Sequence, residues 1–139
     1  MYKNILLAVD GSDHSLRATK EAVKIASLVG DCTIEVVYVV DYSKAKDEVI
    51  HSMGKEELEL TRRKKVLPIE EHMKSKNITY NIKILRGEPG PSIVDYANKE
   101  SFQLVIIGSR GLNTLQEMVL GSVSHKVVKR VKCPVLIVK

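Results

Sequence analysis

The sequence predicts an α/β fold built on an open parallel sheet of five strands, with helices on both faces. Two observations predict it. Short runs rich in Val, Ile and Leu recur along the chain, continuous rather than alternating, as strands do when both faces are covered. Between them lie longer stretches whose apolar residues recur at three and four, the period of a helix packed on one side. The resulting order, β-α-β-α-β-α-β-α-β, winds a parallel sheet through right-handed crossovers.

The first strand is Ile5 to Val9. Asp13 to Val29 follows as a helix, with Leu16, Thr19, Ala22, Val23, Ala26 and Val29 as its apolar stripe. Ser12 or Asp13 can cap its start, and Gly30 stops it. Ile34 to Val40 is the second strand. Asp41 to Gly54 carries no period and is expected to be a mobile loop. Lys55 to Lys76 is a highly charged helix with Leu58, Val66, Ile69 and Met73 on its inner side. Pro68 within it should kink or split it. Ile78 to Leu85 alternates, as an edge strand with one wetter face does. Pro89 to Lys99 begins with prolines in the first turn, where a missing N–H costs little, and turns Ile93, Val94 and Ala97 inward. Leu104 to Ile107 is the fourth strand. Ser122 to Val131 is a helix carrying Val123, Val127, Val128 and Val131. Val135 to Val138 is the last strand.

The 139 residues suffice for one domain, expected to span 1–139, and are too few for two. Composition is ordinary for a globular protein, with 44% apolar and 28% charged residues. Two cysteines, Cys32 and Cys133, make neither a disulfide framework nor a metal-ligand pattern. A reducing, cytoplasmic setting is expected. The longest apolar runs fall far short of the roughly 18 residues a membrane span needs. The start, Met1-Tyr2-Lys3-Asn4, leads straight into a strand, so no leader is expected. The net charge of +5 admits anionic partners. Residues 1–100 hold 16 basic and 16 acidic side chains, and residues 101–139 hold six basic and one acidic. The whole excess therefore falls in the last 39 residues.

Ligands of such sheets bind beyond the carboxyl ends of the strands, where the winding reverses. The informative segment there is Gly108 to Ser124, GSRGLNTLQEMVLGSVS, after the fourth strand and into a helix. Gly108 and Gly111 permit a tight turn and a close backbone approach. Gly121 exposes the first free N–H groups of the helix, which with its dipole favour a phosphate. Ser122 and Ser124 can add hydroxyl donors. By spacing alone, the segment reads equally well as a glycine-rich turn followed by a serine cap.

The pattern Gly-x2-Gly-x9-Gly-Ser resembles the nucleotide-binding signature of the ATP-binding branch of the universal stress protein family. Tyr2 to Ser12 (YKNILLAVDGS) resembles that family's first strand and turn, Leu104 to Gly111 (LVIIGSRG) its fourth strand, and Cys133 to Lys139 (CPVLIVK) its last. The resemblance implies an adenine nucleotide alpha hydrolase-like sheet in the order 3-2-1-4-5. It also implies phosphate contacts at Gly108, Ser109, Gly111, Gly121, Ser122 and Ser124, with the Val123 amide between the serines. Asp10 matches an acid near the ribose and a phosphate-bound metal, Mg²⁺ or Mn²⁺. Ala8, Val9 and Val39 match the adenine side, Val39 through its backbone. Gly87 sits where the turn after strand 3 must be small. Arg110 is a candidate phosphate contact, with a solvated loop position as the alternative. Asp10 can equally cap the turn at Gly11 and Ser12.

The remaining features are weaker. His14, His51, His72 and His125 show no ligand spacing, and His125 is expected on a solvated helix position. Arg62 to Lys65 is balanced by glutamates and reads as a salt-bridged solvent face. Lys126, Lys129 and Arg130 are expected to face solvent. Six aromatics and no Trp give little for stacking on nucleic acid. The Walker pattern and the dinucleotide fingerprint are absent.

The expected function is an ATP-binding, nucleotide-dependent stress-response switch with at most slow hydrolysis. The alternative is a weak ATPase, or an autophosphorylating enzyme using Ser122 or Ser124. The family resemblance further implies a homodimer through Val135 to Val138, besides a downstream protein partner of unknown identity. Neither nucleic acid nor membrane is expected as a partner.

Overall fold

The computed structural model describes residues 2–40, 55–110 and 120–139, with side chains from residue 63 in the second stretch. Residues 41–54, which include the expected loop, and 111–119, which include Gly111, lie outside the described residues. Nine elements appear in the expected order: β1 Asn4–Val9, α1 Asp13–Val29, β2 Thr33–Val40, α2 Lys55–Ser75, β3 Thr79–Arg86, α3 Pro89–Lys99, β4 Leu104–Gly108, α4 Ser122–Arg130 and β5 Val135–Val138. The strands form one sheet in the order β3-β2-β1-β4-β5, with every pair parallel.

The period-two direction of side chains splits each strand between two cores. Ile5, Leu7, Val9, Ile34, Val36, Leu104 and Ile106 pack under Ala18, Ala22, Val23 and Ala26 of α1 and Ile69 and Met73 of α2. Leu6, Ala8, Val37, Val105 and Ile107 pack on the other face, against Ile93, Val94 and Ala97 of α3 and Val127 of α4. Complete burial of side chains such as Leu6, Leu7 and Ile106 contributes about 1.5–3 kcal/mol each. β3 alternates between exposed and half-buried positions up to Lys83, after which Ile84 is exposed as well, and no residue of this edge strand is fully buried.

Two expectations need correction. The buried stripe of α1 runs through Ser15, Ala18, Thr19, Ala22, Val23 and Ala26, while Leu16 and Val29 are half-buried. Small residues at 15 and 18 let the helix lie close to the sheet, which turns Leu16 aside. α2 is also not split at Pro68: Lys55–Ser75 is one helix. Val66, Ile69 and Met73 are 3%, 2% and 0% exposed, and this anchorage on both sides of the proline outweighs the lost backbone hydrogen bond.

One polar contact braces the second core. The Tyr96 hydroxyl on α3 donates to Glu35 on β2, and the Tyr96 ring tilts against Phe102 with centroids 5.8 Å apart. Burial, then the hydrogen bond and charge of Glu35, push the Tyr96 hydroxyl well above the ordinary value of about 10. Above pH 10 the unfolded chain releases a proton that the folded chain keeps, so stability should fall as pH rises. Tyr96→Phe should lower stability by about 1 kcal/mol at pH 8. It should also flatten the decline between pH 10 and 11, measured as the urea midpoint at each pH.

Candidate functional site

The reversal of winding lies between β1 and β4, and two helix N-termini converge on it from opposite faces of the sheet. α1 begins just after β1. Its cap is a small network: the Ser12 hydroxyl accepts from the Ser15 N–H at 3.2 Å. Asp10 Oδ1 accepts from the Ser12 N–H at 2.9 Å and from the Ser15 hydroxyl at 2.6 Å. Asp10 is therefore a turn-forming acid, which its spacing allowed. Gly11 holds φ +86°, a left-handed conformation that favours glycine.

α4 arrives from the other face. The Ser109 carbonyl accepts the Gly121 N–H at 2.8 Å and the Ser124 hydroxyl at 2.7 Å, while the Ser109 N–H donates to the Val138 carbonyl at 2.7 Å. The two bonds to the Ser109 carbonyl moor the start of α4 to the end of β4, and the third ties that end to β5. The Ser124 hydroxyl is thus engaged within the protein, and it would have to leave Ser109 to donate to a phosphate. Ser122 is exposed and Val123 half-buried. Gly121 supplies no side-chain cap, and the first intrahelical bond runs from the His125 N–H to the Gly121 carbonyl at 2.9 Å. The N–H groups of Ser122, Val123 and Ser124 precede that bond, so the helix offers them, with its dipole, to an acceptor.

The geometry gives Gly108 a reason of its own. A Cβ there would fall 2.8 Å from the His14 Cβ and 3.0 and 3.1 Å from the His14 carbonyl carbon and oxygen. Its glycine lets α1 close on the end of β4. Gly87 holds φ +133° and donates its N–H to the Val40 carbonyl at 2.9 Å, so the turn after β3 does have to be small. Ala8 and Val9 are 2% and 6% exposed and sit in opposite cores, which leaves mainly their backbone for a ligand. Val39 is half-buried on the α3–α4 face, the face on which α4 begins.

Arg63, Lys64 and Lys65 are exposed, as expected of a solvent face, and the Lys65 stem crosses Gly11: its Cδ lies 3.4 Å from where a Cβ would stand. Its ammonium lies 5.9 Å from the centre of the Tyr38 ring. The Lys126 stem covers Gly90 on α3, with its Cδ 2.7 Å from an added Cβ, so this lysine is half-buried rather than solvated. Lys129, Arg130 and His125 are exposed, as expected. Arg110 is half-buried, and its charge is felt by His14. Burial raises both cysteine thiols, which fits packing residues. A shallow depression of about 260 Å³ lined by Leu85, Arg86, Ser92, Asp95, Tyr96 and Lys99 lies by β3 and α3. It carries none of the predicted site residues.

The profile of the Universal stress protein family matches residues 1–139. The chain belongs to the universal stress protein family. A universal stress protein of Methanocaldococcus jannaschii is 35% identical over 146 aligned positions, covering 100% of this chain and 83% of that protein. The solved structure of a second member from that archaeon superposes with a TM-score of 0.87 at 30% identity, covering 100% and 96% of the two chains. A universal stress protein solved in complex with cAMP superposes with a TM-score of 0.74 at 25% identity, covering 99% and 97%. The five-stranded parallel sheet is the family's fold, and nucleotide binding occurs among its solved members.

Proposed function

We propose that residues 1–139 form one nucleotide-binding domain that takes ATP in the crevice between β1 and β4 and acts as a stress-response switch. The observation that carries the reading is the start of α4. Gly121 at its N-cap supplies no side-chain cap, and two bonds to the Ser109 carbonyl moor it at the reversal of the sheet. The residues fit a triphosphate: Ser122, Val123 and Ser124 present N–H groups, and the surrounding 39 residues carry the chain's positive excess. Adenine would lie toward Val39. Asp10 already spends Oδ1 on two hydrogen bonds, so Mg²⁺ or Mn²⁺ would be held mainly through phosphates and water. When bound, the metal supplies charge neutralisation for the polyphosphate.

The bound phosphate charge would set how residues 109–120 are held, and a protein partner would read that surface. Denaturing the purified protein and identifying released small molecules by mass spectrometry should yield ATP. Titration with ATP should then slow amide exchange at 109–120. Equal exchange with and without ATP would remove the switch. In the enzymatic alternative, Ser122 is the only one of the two serines exposed enough to accept a phosphoryl group, since Ser124 is 3% exposed. Phosphate release well above a Gly121→Val control would favour it.

Among the described residues β5 is the edge strand of the sheet, beside β4. The Pro134 and Val138 carbonyls accept from β4, which leaves Val135 and Ile137 directing their backbone groups outward. An apolar edge of this kind invites pairing. We expect a homodimer through Val135–Val138 in a cytoplasmic protein, and light scattering at micromolar concentration should return twice the chain mass. No helix among the described residues is long and apolar enough to cross a membrane.

A further inference from the structure

We infer that His14 is a ligand-binding residue of the crevice, holding its Nε2–H toward a phosphate at the end of β4. The inference rests on the nucleotide reading above and assigns the crevice a wall opposite α4. Nothing in the spacing of the four histidines marks this one.

His14 is the second residue of α1, and its Cβ and carbonyl lie against Gly108, at the point where α4 is moored from the other face. A phosphate at the end of β4 would have the α4 N–H groups on one side and His14 on the other. The ring has a defined hydrogen-bonding state. Arg17 Nη2 lies 2.9 Å from His14 Nδ1, and a guanidinium can only donate, so Nδ1 is the acceptor. The neutral ring therefore carries its proton on Nε2. Arg17 is itself fixed, because its Nε donates to the Lys139 carbonyl at 2.8 Å. Nδ1 is thus engaged with Arg17, and Nε2 carries the N–H that we assign to a ligand.

Four charged groups surround the ring: Arg17 and Asp13 from α1, Arg110 after β4, and Asp10 after β1. Burial, then Arg17 and Arg110, hold His14 below the usual histidine range, while Asp10 and Asp13 act against them. A bound phosphate adds negative charge and favours the imidazolium, whose added proton sits on Nδ1, so Arg17 Nη2 must turn away from the ring when the ligand binds. Binding should therefore take up a proton near pH 6–7, around the ordinary histidine value of about 6.5. In the free protein the sign is opposite. The lowered value means that stability is lost as pH falls below the ordinary histidine range.

The test is calorimetric titration of the full chain with ATP from pH 5.5 to 8.5, in buffers of different ionisation enthalpy. Wild-type protein should take up more protons at pH 6–7 than His14→Gln, whose amide keeps a donor but cannot titrate. ATP binding by His14→Gln should be about 3- to 10-fold weaker than wild type at pH 6, and nearly equal at pH 8.5. Equal proton counts and equal affinities at pH 6 would overturn the inference while leaving ATP binding intact. No ATP binding by wild type would overturn the nucleotide reading and this inference with it. Should the variant not fold, nitrogen NMR of the wild-type rings decides. One Nε2–H tautomer must titrate at higher pH once ATP is added, and four unmoved rings would refute the assignment.

Discussion

Gly108→Ala is expected to destabilise the protein by about 1–3 kcal/mol, the usual range for an overpacked interior. The new Cβ would meet the His14 Cβ at 2.8 Å and the His14 carbonyl group at 3.0–3.1 Å. Two of those three atoms are backbone, so no rotamer change relieves the clash. The first turn of α1 would have to lift off β4, carrying the Ser12–Ser15–Asp10 cap with it. The urea midpoint should therefore drop, and ATP affinity should drop with it because both walls of the crevice meet at this residue. An unchanged midpoint would mean that α1 does not pack on β4 as described. The contrast is Gly30, where an added Cβ meets nothing within 4 Å. Any cost there comes from its φ of +90° alone.

Ser122→Pro should separate binding from folding. Ser122 is the first residue of α4, the one helical position proline favours, since its N–H makes no intrahelical bond. Gly121 before it already holds φ −71° and ψ 167°, the extended region that a residue preceding proline prefers. Thermal stability should therefore stay the same or rise slightly. The substitution removes both an N–H and a hydroxyl from the proposed phosphate site. A hydrogen bond to a charged group contributes about 1.5–3 kcal/mol, so ATP affinity should fall about 10- to 100-fold. A proline variant that binds ATP like wild type would place the phosphates elsewhere. Its loss of ATP binding, beside a His14→Gln variant with wild-type proton uptake, would retain the α4 site and discard the α1 wall.

Much of the fold is legible in the sequence because a packed element repeats its apolar residues at its own period. The continuous run from Ile5 to Val9 and the alternation from Ile78 to Leu85 distinguish a central strand from an edge strand without any structure. Pro68 shows the limit of such local rules. Its effect on an isolated helix is unfavourable, but Val66, Ile69 and Met73 are anchored in the core on either side of it, and the helix continues. The site is legible in part. Gly121 and Ser122 mark the start of α4, and the end of β1 marks Asp10. The tasks of Gly108, Ser124, Lys65 and Lys126 are not marked, because each depends on a partner from another element.

The sequence by itself determined the order of elements, the family, and the concentration of positive charge near the glycine signature. Tertiary structure alone decided that Gly108 makes room for α1, that the Ser124 hydroxyl is spent on Ser109, and that Arg17 joins His14 to Lys139. The reason is physical. Apolar burial is non-directional and repeats with the backbone, so it leaves a period in the chain. A hydrogen bond needs two groups within about 3 Å and in line. His14 and Arg17 are three residues apart, but Arg17 and Lys139 are 122 apart, and only the packed sheet brings them together.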